Sequence, residues 1–174
     1  MDELELERTF LAKGLPKEIG GADYVEIIDT YIPDGPKHSH LRLRKKGDKH
    51  LITKKSPIQD DVSEMMEYTI ELTPEEYEAL ASCSKKRVVK KRYFTKIDEF
   101  DAEVDVFEEG LKGLVLVDFE FADINKKNEF KMPESMLADV TSEEFIAGGM
   151  MAGKKYEDIE EKLKEYGYEK EENV

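Results

Sequence analysis

The sequence predicts a mainly β fold, an eight-stranded antiparallel barrel or strongly curved sheet, with a few flanking helices. Three observations predict it. Apolar and polar residues alternate with period two through most of the first 123 residues, as in strands with one face turned to a core. Eight such runs follow one another through mostly short, hairpin-like links, which suggests an antiparallel barrel or strongly curved sheet. Only after residue 140 does the spacing turn helical.

The elements follow in order. LELERTFLA is the first strand, and DYVEIIDTYI, ended by the turn signal PDGP, is the second. SHLRLRKK and KHLITKKS flank a Gly-Asp pair and read as a hairpin. EMMEYTIEL, the fifth strand, stops at a helix signal: Thr73 as N-cap, Pro74 at the first helical position and Glu76 completing a capping box. The helix PEEYEALAS leads into the sixth strand, RVVKKRYFTKID. DAEVDVFEE and LVLVDFEFAD, separated by GLKG, are the seventh and eighth. SEEFIAGGMM and KYEDIEEKLKEYGY are the C-terminal helices, and the charged ending EKEENV is expected to fray. No repeat or long linker interrupts the chain, so a single domain is expected over 1–174. The barrel would occupy about 1–125 and the C-terminal helices about 140–168.

Composition narrows the function classes. Apolar and charged residues each make up 39% of the chain, so many charges must be placed around a modest core. A net charge of −14 argues against binding nucleic acid or an anionic membrane through overall charge. Cys83 is the only cysteine, which leaves no intramolecular disulfide and no cysteine-based zinc site and suits a reducing, cytoplasmic setting. No apolar run approaches a membrane span, and the acidic N-terminus lacks the features of a signal peptide.

The decisive pattern is how charge sorts by parity. Glu5, Glu7 and Thr9 share one face of the first strand, opposite Leu4, Leu6 and Phe10. Arg42 and Arg44 share a face of the third strand, Thr53 and Lys55 of the fourth, and Lys90 and Arg92 of the sixth. Glu103 and Asp105 do so in the seventh, and Asp118 and Glu120 in the eighth. The plain alternative is one face on a core and the other in water. Two details oppose it. The eighth strand is otherwise apolar, and acids in a buried-type strand need partners or a cation. Acids also gather on the first, seventh and eighth strands and bases on the third, fourth and sixth, so an inward ionic face would set an acidic wall opposite a basic one. Hard carboxylates suit Mg²⁺ or Mn²⁺, and arginines and lysines suit linked phosphates. The chain contains no Gly-rich phosphate loop of the G-x-x-x-x-G-K-[ST] type.

The motifs ELERT, LRLRKK, ITKK, KKRYF, EVDVF and GLVLVDFEF stand in an order and spacing that resemble the CYTH family of triphosphate tunnel metalloenzymes. The resemblance covers residues 3 to 123, and VTSEEFIAGGMMAG resembles the family's closing helical segment. It implies an eight-stranded tunnel with its ionic side chains inside, a small triphosphate as substrate and Mg²⁺ or Mn²⁺ as cofactor. Hydrolysis of inorganic triphosphate is the leading activity. Thiamine triphosphate hydrolysis, a class IV-type adenylate cyclase and a non-catalytic triphosphate- or polyphosphate-binding module are the alternatives. Carried over by position, Glu5, Glu7, Asp118 and Glu120 match metal-side acids, and Arg42, Arg44, Lys55, Lys90 and Arg92 match phosphate-binding bases. Glu5, Glu7, Glu67 and Asp105 are the acids expected in the catalytic machinery. Two positions depart from the family: Thr9 stands where a lysine is expected, and Met65 where an acid is expected. The reading includes neither a nucleic-acid nor a membrane partner and leaves a homodimer open.

Overall fold

The computed structural model describes the backbone of residues 2–35, 40–58 and 61–174, and the side chains of 6–35, 40–56 and 66–174. The eight expected strands are β1 (Asp2–Ala12), β2 (Tyr24–Ile32), β3 (Leu41–Lys46), β4 (Lys49–Ile58), β5 (Asp61–Glu71), β6 (Arg87–Ile97), β7 (Phe100–Phe107) and β8 (Val115–Glu120). They pair antiparallel in the order β5-β4-β3-β2-β6-β7-β8-β1, and β1 also pairs with β5. The circuit returns to β1 by halves: Asp2–Leu6 pairs with β5, and Glu7–Leu11 pairs with β8.

Local chemistry fixes the links. Gly47 has a φ of 56°, which a residue without Cβ adopts freely, and the turn at Gly47 and Asp48 sets the β3–β4 register of Lys46 against Lys49. The capping box forms as expected: Glu76 N donates to Thr73 Oγ1 at 3.2 Å, and Thr73 N donates to Glu76 Oε2 at 2.8 Å. The helix it starts, α1 (Pro74–Ala81), buries Tyr77, whose ring meets His50 of β4 at 4.9 Å.

Three features differ from the sequence expectation. A helix, α2 (Ile124–Glu129), and a ninth strand, β9 (Met136–Asp139), follow the barrel, and β9 pairs with the C-terminal half of β1. Four residues are too few for a readable alternation, so β9 leaves no periodic signal. The C-terminal helices are far shorter than their patterns: α3 (Gly148–Met151) and α4 (Glu160–Glu165), each preceded by a single 3-10 turn. Glycines at 148, 149 and 153 deny the first pattern its helical propensity, and Gly167 ends the second with a φ of 74°. The tail is docked rather than frayed. Glu171 N donates to Gly113 O at 2.9 Å, and Leu15 N donates to Glu171 Oε2 at 3.2 Å. Among the described residues no helix is long and apolar enough to cross a membrane.

Two apolar clusters frame the site. One lies outside the β7–β8–β1 wall, where Phe10, Val104, Val117 and Phe119 are covered by Phe130 and Met136. The other seals one end of the tunnel. There the inward positions become Tyr31, Val88, Phe107 and Leu116 and pack with Val140, Ile146 and Met151 of the C-terminal segment. A Cβ at Gly148 would collide with the Tyr31 hydroxyl, so the close approach of that segment depends on glycine.

Candidate active site

The sealed end gives way to a cavity of about 680 Å³, lined from every barrel strand by the ionic parity. Glu7, Arg42, Arg44, Lys55, Glu67, Lys90, Arg92, Asp105, Asp118 and Glu120 all reach it. The five bases are only 10–20% exposed, far too enclosed for a solvated outer face. Glu5 sits opposite Met65 in the β1–β5 register, and both side chains lie outside the described set. Thr53, Thr9 and His40 also line the cavity, as do residues between Val140 and Met151.

Arg92 is the centre of one ion network. Its Nε and Nη2 donate to the two oxygens of Asp105 at 2.7 and 2.6 Å, and Nη2 also reaches Asp118 Oδ2 at 3.3 Å. Its Nη1 meets Glu103, and Lys90 Nζ meets Asp105 from the same strand. These contacts follow from register, because β6 lies beside β7 and sets Arg92 opposite Asp105. The acidic and basic walls are therefore not fully segregated: Lys90 and Arg92 stand among the acids. Arg44 forms a second closed unit, a fork onto Asp29 with both bonds at 2.7 Å.

The third group is looser. Arg42 Nη2 and Lys55 Nζ lie 3.6 and 3.5 Å from Glu67 Oε2, and Lys55 Nζ lies 3.8 Å from Glu7 Oε1. Thr69 donates to Glu67 Oε1 at 2.7 Å. Arg42 lines the cavity, and its Nε is buried with no hydrogen-bond partner among the described residues.

Proton affinities follow this geometry. Burial works against ionised Asp105, but the charges and hydrogen bonds of Arg92 and Lys90 hold it down to about 2. Burial likewise opposes Asp29, yet Arg44 and Arg42 keep it well below the carboxylate range. Asp118 goes the other way. Burial, then the charges of Glu7 and Asp105, push it up to about 7, with Arg92 and Lys90 only partly offsetting. Burial, Glu103 and Glu7 also raise Glu120. Burial and the Arg92 cation lower Lys90.

Burial and neighbouring carboxylates oppose the ionisation of Asp118 and Glu120, which a divalent cation would relieve, and Glu7 is one of those neighbours, so the three fit a hard metal ion. Among the described residues no three acids or histidines converge into a complete cage. Thr9 Oγ1 donates to Asp118 Oδ1 at 2.6 Å, so the departing residue touches this acid directly.

The sequence reading missed Asp29, Tyr31 and Lys46. Asp29 and Tyr31 share parity with buried Ile27, which hid the ionic face of β2. The available signal was pairing: β2 and β3 set Asp29 opposite Arg44.

A family model described as the CYTH domain matches residues 3–134. The chain belongs to the CYTH family. It is 30% identical over 141 residues to an inorganic triphosphatase of Nitrosomonas europaea, covering 80% of this chain and 90% of that one. The solved structure of an inorganic triphosphatase is similar with a TM-score of 0.63 and 27% identity, over 85% of this chain and 93% of the other. A putative adenylate cyclase of Bacillus halodurans shares the fold at a TM-score of 0.55 and 16% identity, over 92% and 97%. The CYTH relatives named as triphosphatases support a hydrolase here.

Proposed function

We propose that this CYTH protein hydrolyses a small triphosphate, foremost inorganic triphosphate, to phosphate and diphosphate with the help of Mg²⁺ or Mn²⁺. The observation that carries the proposal is the set of five enclosed bases around one cavity, with Arg42 Nε buried and unpartnered beside them. A chain of phosphates supplies the acceptor that Arg42 Nε lacks and charge for the bases around it. Arg42 and Lys55 would close on the phosphates, drawn from their long contacts with Glu67. Arg44, Lys90 and Arg92 are held by Asp29 and Asp105, so they present fixed positive charge at no reorganisation cost. Asp105 is thus a positioning residue, since its carboxylate is committed to Lys90 and Arg92. Glu67 lies near Arg42 and Lys55 at 3.6 and 3.5 Å and would keep them close to the phosphates. Glu5, Glu7, Asp118 and Glu120 would hold the metal, which supplies Lewis-acid polarisation of the phosphoryl group.

Phosphate release from inorganic triphosphate tests this, with Mg²⁺ or Mn²⁺ and with a chelator, beside Glu7→Gln. Metal-dependent release, reduced at least a hundredfold in the variant, is expected. Absence of release from the unaltered chain would overturn the hydrolase and leave the binding module that Thr9 motivates. Turnover appearing on Thr9→Lys would then assign the loss to that position.

A further inference from the structure

Asp118 is reached from the outer face of β1 by a chain of hydrogen bonds that passes through Thr9. Arg8 has the outward parity of that strand, and Asp139 of β9 stands beside it, opposite Phe10 in the β1–β9 register. Both line a second cavity of about 360 Å³, and Thr141 lines that cavity and the active-site cavity alike. The chain therefore crosses β1.

Each oxygen of Asp139 serves one side. Oδ2 accepts from Arg8 Nε at 3.2 Å and Nη2 at 2.5 Å, and Oδ1 accepts from Thr141 N at 2.9 Å and Thr141 Oγ1 at 2.5 Å. Thr141 has one hydroxyl proton, and the carboxylate is a nearer acceptor for it than Thr9 O at 3.5 Å. The hydroxyl oxygen is then open to accept from Thr9 N at 3.0 Å. Val140 N donates to Thr9 O at 2.9 Å, so the 140–141 turn holds both main-chain groups of Thr9. On the inner side Thr9 Oγ1 donates to Asp118 Oδ1 at 2.6 Å, and Asp118 Oδ2 lies 3.3 Å from Arg92 Nη2. One oxygen of Asp118 is thus set by Thr9 and the other by Arg92. Arg8 and Asp139 are 27% and 36% exposed, too open for their ion pair alone to add much stability. What the four bonds onto Asp139 fix is geometry.

We propose that Asp139 is a positioning residue of the metal-side wall: held by Arg8, it fixes Thr141, which sets the backbone of Thr9 and, through the Thr9 hydroxyl, the orientation of the Asp118 carboxylate. The proposal rests on the reading above that Asp118 helps to hold a divalent cation, and it adds what keeps that acid aimed. Partners that orient a ligating carboxylate without touching the ion are commonly worth about ten- to a hundredfold in metal affinity. Asp139 acts at one further remove, so the lower end of that range applies.

Mn²⁺ binding to the full chain tests it, read as loss of the free-ion electron paramagnetic resonance signal, which requires no turnover. Asp139→Ala is expected to weaken Mn²⁺ about tenfold, and Thr141→Val by a similar factor, while Thr141→Ser keeps the hydroxyl and should restore the wild-type affinity. In a Thr9→Val background, where the link to Asp118 is already cut, Asp139→Ala should change the affinity by less than about twofold. A role confined to stability would lower the unfolding temperature in both backgrounds and leave Mn²⁺ affinity unchanged. If the wild type binds Mn²⁺ and Asp139→Ala binds it equally well, or loses as much in the Thr9→Val background as without it, the positioning role is wrong and the metal reading stands. If the wild type binds no Mn²⁺, the metal reading fails and the positioning role with it.

Discussion

Arg92 and Arg42 line the same cavity, yet their surroundings differ in kind. Arg92 engages Glu103, Asp105 and Asp118 at once, while Arg42 reaches Glu67 at 3.6 Å and keeps a buried Nε with no hydrogen-bond partner among the described residues. The first is already held in place by acids of the protein, and its position is set by β6–β7 register. The second makes no close ion pair, and its Nε has no acceptor among the described residues. Charge inside a tunnel thus does two jobs: closed networks hold the walls together, and open donors recognise the ligand.

The largest effect should come from breaking the closed network. Arg92→Ala leaves three carboxylates without their shared cation, and a loss of about 3–5 kcal/mol in unfolding free energy is expected from chemical denaturation. Arg42→Ala should destabilise clearly less than Arg92→Ala in the same assay but reduce triphosphate turnover on the order of a hundredfold. Equal destabilisation by the two substitutions would erase the distinction.

Asp118 sharpens it in the opposite sense. Its folded-state pKa lies above its unfolded value, so the stability it lends is present below about pH 4 and lost as pH rises toward 7. Asp118→Asn, measured in a chelator, should therefore raise the unfolding temperature more at pH 8 than at pH 5. The same substitution should weaken metal-dependent turnover. Asp105, held down to about 2, behaves as the mirror image: its contribution is complete above about pH 4 and disappears as pH falls toward 2. Acid titration of thermal stability should show a shallower decline in Asp105→Asn over that window. The smallest effect is expected at Thr9, where Thr9→Lys places a cation beside Asp118 and should raise metal-dependent turnover severalfold.

Much of this architecture was legible because period-two alternation is a direct record of strand faces. The parity of Glu7, Arg42, Lys90 and Asp118 places each side chain on the inner wall, and the capping box at Thr73 marks α1 to the residue. What could not be read was which strands become neighbours. The third and sixth strands both carry bases in the sequence, but β2 comes between them, and β6 joins β7. That pairing brings Arg92 to Asp105 and turns a supposed basic wall into a mixed one. Asp29 was hidden for the same reason, since its meaning lies in Arg44 on the adjacent strand. The C-terminal segment shows a different limit. Its apolar residues are helically spaced, but their burial comes from sealing the barrel end around Tyr31, a contact between distant parts of the chain.

The most direct test of the central claim is phosphate release from inorganic triphosphate by the wild type and Arg42→Ala, with thermal unfolding of both measured alongside. Rapid metal-dependent release by the wild type, a loss of about a hundredfold in the variant and nearly matched unfolding temperatures are predicted. Undiminished release by Arg42→Ala, or none by the wild type, would contradict the account.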